Sequence, residues 1–253
     1  YFRTGLADDE LEANYTPRRR ARTWSAALTG NFDLAPDLVL TSISAWDKGS
    51  LYIPEDTDGS PLRPLEIPYT DRARQLSQEL RLTRSWSNDG SVVGGIYAAR
   101  EKVFNKTEMY MWPDVDVNGS GQVDAADCAA ALPVACVIGN RFHQRKDSLA
   151  GYLDAWLPLS SHVRIQAGMR LTRDTGRQYG LIGVARGVDG ALVQTFIAPT
   201  RRSFATTHLS GKLGVEWRPE RDLMVYASLG RGYRGSGFNG QAYFDASEAT
   251  VAR

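Results

Sequence analysis

A polar segment in the middle of the chain has the residue spacing of a twelve-residue calcium loop. Gly121 stands at its sixth position, where such loops turn sharply. Calcium binds oxygen atoms, and this segment would supply carboxylate, amide, hydroxyl and backbone carbonyl oxygens. The spacing predicts a structural Ca²⁺ site, and the alternative is a surface loop rich in turn-forming Asp, Asn and Gly. The candidate ligands are Asp116, Asn118, Ser120, Gln122 through its carbonyl, Asp124 and Asp127.

Residues that could carry out catalysis do not form a recognisable set. The histidines are His143, His162 and His208. His208 and Ser210 fall on one strand face, but a period of two places any such pair together. Residues 230–235 match G-x-G-x-x-G, yet Ser-Gly-Phe-Asn-Gly follows, which is a poor start for the helix that a dinucleotide site needs. We therefore predict no catalytic residue and no enzyme.

Charge and hydropathy exclude two further classes. The chain of 253 residues has 30 Lys and Arg against 29 Asp and Glu, so its net charge of +1 gives no reason to expect a nucleic-acid partner. The longest nearly apolar run, residues 128–138, is too short and is interrupted by proline, which excludes a transmembrane helix. A transmembrane barrel agrees with the mean hydropathy of −0.35, because its strands face lipid only at every second residue.

The elements that must position these residues are strands, because apolar and polar residues alternate along most of the chain. Eight segments show this pattern. Most of them reach the ~9–11 residues that a tilted strand needs to cross the hydrocarbon layer. The predicted strands cover residues 23–34, 37–46, 74–86, 91–104, 147–157, 162–174, 205–217 and 222–231.

The connections between these strands alternate in length. Short periplasmic turns on one side and long extracellular loops on the other are typical of outer-membrane barrels. The pattern therefore predicts an all-β, antiparallel, up-and-down transmembrane barrel segment. The short connections are residues 33–37, 87–90, 158–161 and 218–221. The long connections are residues 47–73, 105–146 and 175–204.

The barrel interpretation assigns the two faces of each strand. On two strands the apolar face is predicted to contact outer-membrane lipid and the polar face to line the lumen. The residues predicted to face lipid are Ile165, Met169, Leu209, Leu213 and Val215. The residues predicted to face the lumen are Arg164, Arg170, His208 and Lys212.

Cys128 and Cys136 are the two cysteines of the chain, and both lie in the predicted extracellular loop at 105–146. Export to an oxidising compartment favours a disulfide between them. The alternatives are two free buried thiols or a metal-binding pair. Their spacing is wider than that of a zinc-binding pair, and His143 alone does not complete a four-ligand set.

Several segments together resemble the barrel domain of TonB-dependent outer-membrane receptors. The strongest is VYASLGRGYRGSGFN at 225–239. Two hairpins are also similar to those of the family, one formed by QLSQELRLT and VVGGIY and the other by GYLDAWLPL and VRIQAGMRLT. The resemblance extends over about residues 23–239, and these segments are specific as a group although each alone is weak.

The resemblance implies a barrel of about 22 strands around a plug domain. It also implies a transporter for a scarce, bulky solute such as a ferric siderophore, cobalamin or an oligosaccharide, driven by the TonB complex through the plug region. Residues 1–253 contain neither plug nor closing C-terminal strand, so we expect a fragment of that barrel in the bacterial outer membrane. Aromatic and Arg side chains in the loops are the expected solute contacts: Tyr69, Trp112, Arg141, Tyr179 and Tyr233.

Two other classes remain open on the residues alone. The first is a small outer-membrane barrel enzyme, which esterase or protease activity in a detergent-soluble protein would favour. The second is a secreted, calcium-dependent β-sandwich adhesin, which solubility without detergent would favour.

Overall fold

Eight long antiparallel strands form one sheet in which every strand pairs with its neighbours in sequence. The computed structural model describes residues 13–14, 18–86, 89–220, 222–238, 240, 242–245, 247 and 251–252. The strands are β1 (Arg20–Ala35), β2 (Leu38–Asp56), β3 (Leu65–Ser85), β4 (Ser91–Met111), β5 (Cys136–Pro158), β6 (Val163–Gly187), β7 (Leu192–Glu220) and β8 (Leu223–Arg231). This is the predicted up-and-down order, and a single sheet contradicts the sandwich alternative.

The described part of the chain contains three further short elements. The helix α1 (Ala125–Ala130) lies in the connection between β4 and β5. After β8, the short strands β9 (Gly237–Phe238) and β10 (Val251–Ala252) pair with each other. Within the described residues, no helix has the length and apolar character needed to cross a membrane.

The two faces of the sheet differ as the alternation predicts. Leu209 and Leu213 on β7 and Met169 on β6 are more than half exposed on one face. On the other face of β6, Thr172, Asp174 and Gln178 are buried. The apolar residues are therefore on the outer face and the polar residues on the inner face, which is the arrangement of a barrel wall.

The predicted loops at 47–73, 105–146 and 175–204 are too long. The strands continue through most of these residues, and the connections are only 57–64, 112–135 and 188–191. The alternation fails as a signal there because, beyond the apolar band, the outer face becomes polar while the inner face carries buried apolar residues such as Phe142 and Leu181. In the predicted turns, residues 87, 88 and 221 lie outside the described part, as does residue 239 of the 225–239 segment.

The buried core lies at the loop end of the sheet, on its inner face. Phe142, Leu181, Ile197 and Ala242 form one cluster. Cys128, Cys136, Ile138 and Ala185 form a second cluster, against which Met109 and Phe196 pack. The 112–135 connection and the chain after β8 therefore fold inward over β5, β6 and β7.

Candidate functional site

Arg170 stands between two tyrosines on the inner face of the sheet. Its guanidinium lies 5.4 Å from the ring centroid of Tyr97 and 5.7 Å from that of Tyr152. Cross-strand pairing positions Tyr152 directly beside Arg170, and the Tyr152 hydroxyl donates a hydrogen bond to Glu79. A cation over aromatic faces is favourable by about 0.5–2 kcal/mol, and it holds these side chains in a fixed orientation.

A second polar group adjoins the first on the same face. Asp174 is buried, accepts a hydrogen bond from the Tyr233 hydroxyl and pairs with Lys146 at 3.2 Å. The ring of His208 stacks on Tyr233 with 4.1 Å between centroids. Since His208 contacts Tyr233 and the Ser210 hydroxyl donates to the Arg170 carbonyl, these residues do not form a Ser–His pair.

A groove of about 320 Å³ joins the two groups and is lined by Tyr97, Arg170, Asp174 and Tyr233. We call Tyr97, Tyr152, Arg170, Asp174 and Tyr233 the inner-wall site. It offers aromatic faces, hydroxyls and both signs of charge. Such a surface can bind a bulky polar molecule.

The structure divides the predicted solute contacts between the two faces. Tyr233 belongs to the inner-wall site. Tyr69 lies on β3 beside the buried Thr107, also on the inner face, and burial raises the pKa of its hydroxyl. Trp112 begins the 112–135 connection, with its backbone N–H bonded to the Pro64 carbonyl at 3.0 Å.

Arg141 and Tyr179 are not loop residues, contrary to the prediction. Arg141 lies on β5 and pairs with Lys106, whose side chain is on the outer face. Tyr179 lies on β6, is 40% exposed and stacks on His143 with 5.3 Å between ring centroids. Both side chains point away from the lumen, because each shares the parity of the outward residues of its strand.

The 116–127 segment forms a tight loop held by its own side chains. The Asp116 carboxylate accepts the backbone N–H groups of Gly119 and Gly121, both at 2.7 Å. Gly121 has φ = +84°, the left-handed conformation that the motif requires at its sixth position. The predicted turn is therefore present.

The last acidic residues of the segment cap α1. The Asp124 carboxylate accepts the Ala126 N–H at 2.7 Å, and the Asp127 carboxylate accepts the Asp124 N–H at 2.9 Å, forming a capping box. Asp127 also accepts the N–H groups of Asn118 and Val117. These donors, Asp124 first, hold the pKa of the buried Asp127 below its ordinary value.

These contacts give the acidic residues a role that does not require calcium. Among the residues that the structure describes, no three His, Cys, Asp or Glu side chains are grouped as a metal site. The Ca²⁺ site at Asp116, Asn118, Ser120, Gln122, Asp124 and Asp127 therefore stays a prediction.

Cys128 and Cys136 are joined by a disulfide in the structure. The bond connects α1 to the start of β5, and both sulfur-bearing side chains are fully buried. It holds the 112–135 connection against the inner face.

The sequence contained a signal for the inner-wall tyrosines that the prediction did not use. Leu149 and Leu153 face outward, so the even-numbered Tyr152 between them must face the lumen. On β4 the exposed Ile96 faces outward, so the same alternation places its neighbour Tyr97 inward. An aromatic residue on the polar face of a barrel strand is a better indicator of a lumenal site than an aromatic in a predicted loop.

Comparison with known proteins establishes the family. Residues 2–252 match the family model described as TonB dependent receptor-like, beta-barrel. The chain belongs to the TonB-dependent receptor family. It is therefore part of an outer-membrane protein. A search of curated proteins found no match.

Solved TonB-dependent receptors share the fold. The ferric yersiniabactin uptake receptor FyuA from Yersinia pestis is 20% identical, with a TM-score of 0.70, and the match covers 93% of this chain and 32% of that one. The siderophore receptor PiuA from Acinetobacter baumannii is 12% identical, with a TM-score of 0.59 and coverages of 92% and 35%. The ferric citrate transporter FecA is 13% identical, with a TM-score of 0.61 and coverages of 90% and 29%. The chain spans about a third of the length of these structures.

Proposed function

We propose that this chain is the barrel wall of a receptor that imports a scarce, bulky solute such as a ferric siderophore. The family match over residues 2–252 carries the proposal, since receptors of this family are transporters and not enzymes. The whole receptor would take energy from the TonB complex through its plug. The solved structures with this fold include receptors for ferric yersiniabactin and ferric citrate.

The inner-wall site supports a polar, partly aromatic solute. Arg170 between Tyr97 and Tyr152 presents a cation and two ring faces toward the lumen. Nearby charges are paired, as in Lys212 with Asp154 at 2.9 Å. A wall with balanced charge selects a solute by shape and by hydrogen bonding more than by net charge.

Growth on a single supplied nutrient tests the proposal. A strain lacking the complete receptor gene would be given one ferric siderophore as its sole source of iron. In separate cultures it would be given cobalamin as its sole source of that cofactor, or an oligosaccharide as its sole source of carbon. We expect loss of growth on one source, restored by the intact gene and not by a copy with Arg170→Ala and Tyr152→Ala. A matched copy with the outward substitutions Leu149→Ala and Leu153→Ala should restore growth. Unchanged growth of the deletion strain on every source would refute the proposal.

A further inference from the structure

Five basic residues form a continuous row across five strands. Register pairs Lys48 with Arg74, Arg74 with Lys102, Lys102 with Arg145, and Arg145 with Arg177. Directly paired residues project from the same face, so all five side chains share one side of the sheet. With strands about 4.8 Å apart, this basic row is about 19 Å wide.

The basic row lies on the outer face, at the loop-side edge of the apolar band. Lys48 pairs directly with Trp24 on β1, which is 69% exposed. Trp46 and Leu76, each two residues nearer the turn end, are also exposed on this face. Tryptophans mark the membrane–water interface of barrels. The basic row therefore stands just above the hydrocarbon, on the extracellular side.

The surrounding charge is strongly positive. The neighbouring rows on the same face add Arg72, Arg201 and Arg100, and a single carboxylate, Asp147, lies among them. Asp147 contacts Arg100 and pairs with Arg145 at 2.8 Å. In the described part of the chain, the remaining cations of the basic row form no ion pair with a carboxylate: Lys48, Arg74, Lys102 and Arg177.

Two grooves open along the basic row. One, of about 460 Å³, is lined by Lys48, Arg72, Arg74 and Lys102. The other, of about 530 Å³, is lined by Lys102, Arg145, Arg177 and Arg201. Adjacent like charges destabilise a sheet unless an anion lies between them. Grooves lined by several Arg and Lys side chains, among them Lys48, Arg74, Lys102 and Arg177, which form no ion pair with a described carboxylate, have the geometry to hold phosphate groups.

We propose that the basic row binds the phosphate groups of the anionic glycolipid in the outer leaflet of the outer membrane. The position of the row selects a lipid over a soluble anion. Phosphates at the headgroup level would meet the cations, while the acyl chains of the same molecule would lie against Leu76, Leu80 and the other apolar residues below. This site is on the opposite face of the sheet from the inner-wall site and does not depend on which solute is carried.

Binding of purified lipid A to the complete receptor in detergent tests the proposal. The first variant carries Arg72→Gln, Arg74→Gln and Arg177→Gln. The control carries Arg81→Gln, Arg84→Gln and Arg164→Gln, which removes the same charge away from the row. We expect diphosphorylated lipid A to bind at least about tenfold more weakly to the first variant, and unchanged to the control. Heat-modifiable migration in gels would verify that both variants are folded.

Two measurements on the unmodified receptor keep the test independent of variant folding. Lipid A stripped of its phosphates should bind at least about tenfold more weakly than the diphosphorylated form, and salt should weaken binding of the diphosphorylated form. Inorganic phosphate alone should bind far more weakly than the lipid. Equal binding of both lipid forms, equal binding to the first variant and the receptor, or inorganic phosphate binding as tightly as the lipid would each overturn the proposal.

Discussion

Arg74 on β3 and Lys102 on β4 are directly paired across the sheet, with both side chains on its outer face. Leu76, two residues from Arg74 on the same face, is 62% exposed. The transition from an apolar surface to a cationic one therefore takes place within one step of the strand. This boundary orients the sheet in the membrane and places the inner-wall site within the lumen.

The lipid-facing side of β7 should not tolerate charge. Leu213→Arg places a cation about 13 Å along the strand from the interfacial Trp217, near the middle of the hydrocarbon. We expect the free energy of unfolding of the complete receptor, measured with denaturant, to fall by about 2–4 kcal/mol. Ser77→Arg, on the inner face, is the control and should cost much less. Equal destabilisation by the two substitutions would contradict the assignment of faces.

The number and order of the strands could be predicted because one face of each strand must be apolar where it crosses lipid. The strand ends could not, because the apolar residues change faces beyond the lipid: in Leu65–Ser85, Arg72 and Arg74 are on the outer face, whereas Leu65 and Ile67 are on the inner face. The faces of single residues followed from parity within one strand. The basic row could not be predicted in this way, because it depends on the register between five strands. The alternation within each strand does not determine that register.

The solute contacts also show where prediction from sequence ends. Residue type and apparent loop position selected Arg141 and Tyr179, but extended strands and the pleat direct both outward. Tyr233 and Tyr69 were selected on the same grounds and face inward. The prediction lacked the true length of the strands. Once β5 and β6 are known to extend through Arg141 and Tyr179, parity separates the two pairs.

Substitutions on the two faces should therefore affect solute binding differently. Tyr69→Ala and Tyr233→Ala remove inward aromatic surface, so we expect each to weaken solute binding by about tenfold. Arg141→Ala and Tyr179→Ala are the outward controls and should change it by less than about twofold. Equilibrium binding to the complete receptor measures this, and outward variants that weaken binding as much as inward ones would contradict the arrangement.

The 116–127 loop should lose order in acid. Because the pKa of Asp127 is lowered in the folded loop, its stabilising effect is present above the ordinary value of 3.8 and is lost as pH falls through the lower folded pKa. Amide hydrogen exchange of the loop, relative to the unfolded peptide, should rise in that range. Asp127→Asn should raise exchange already at neutral pH, whereas Asp114→Asn should not. Exchange that is insensitive to both acid and Asp127→Asn would contradict this role.

The predicted calcium site requires its own test, because capping and turn bonds already account for Asp116, Asp124 and Asp127. If the loop binds calcium, titration calorimetry of the complete receptor should show binding with a dissociation constant of about 10⁻⁴–10⁻³ M. Asp116→Ala should abolish that heat, and Asp33→Ala should not. No heat, or the same heat after Asp116→Ala, would mean that the residue spacing serves the turn alone.

Uptake of radioactive iron tests the central claim most directly. Cells producing the complete receptor would be given the ferric siderophore that supports their growth, with and without a working TonB. We predict accumulation that requires both the receptor and TonB, and that Arg170→Ala with Tyr152→Ala strongly reduces at equal receptor abundance. Accumulation that is unchanged by deleting the receptor, or that continues without TonB, would contradict the account.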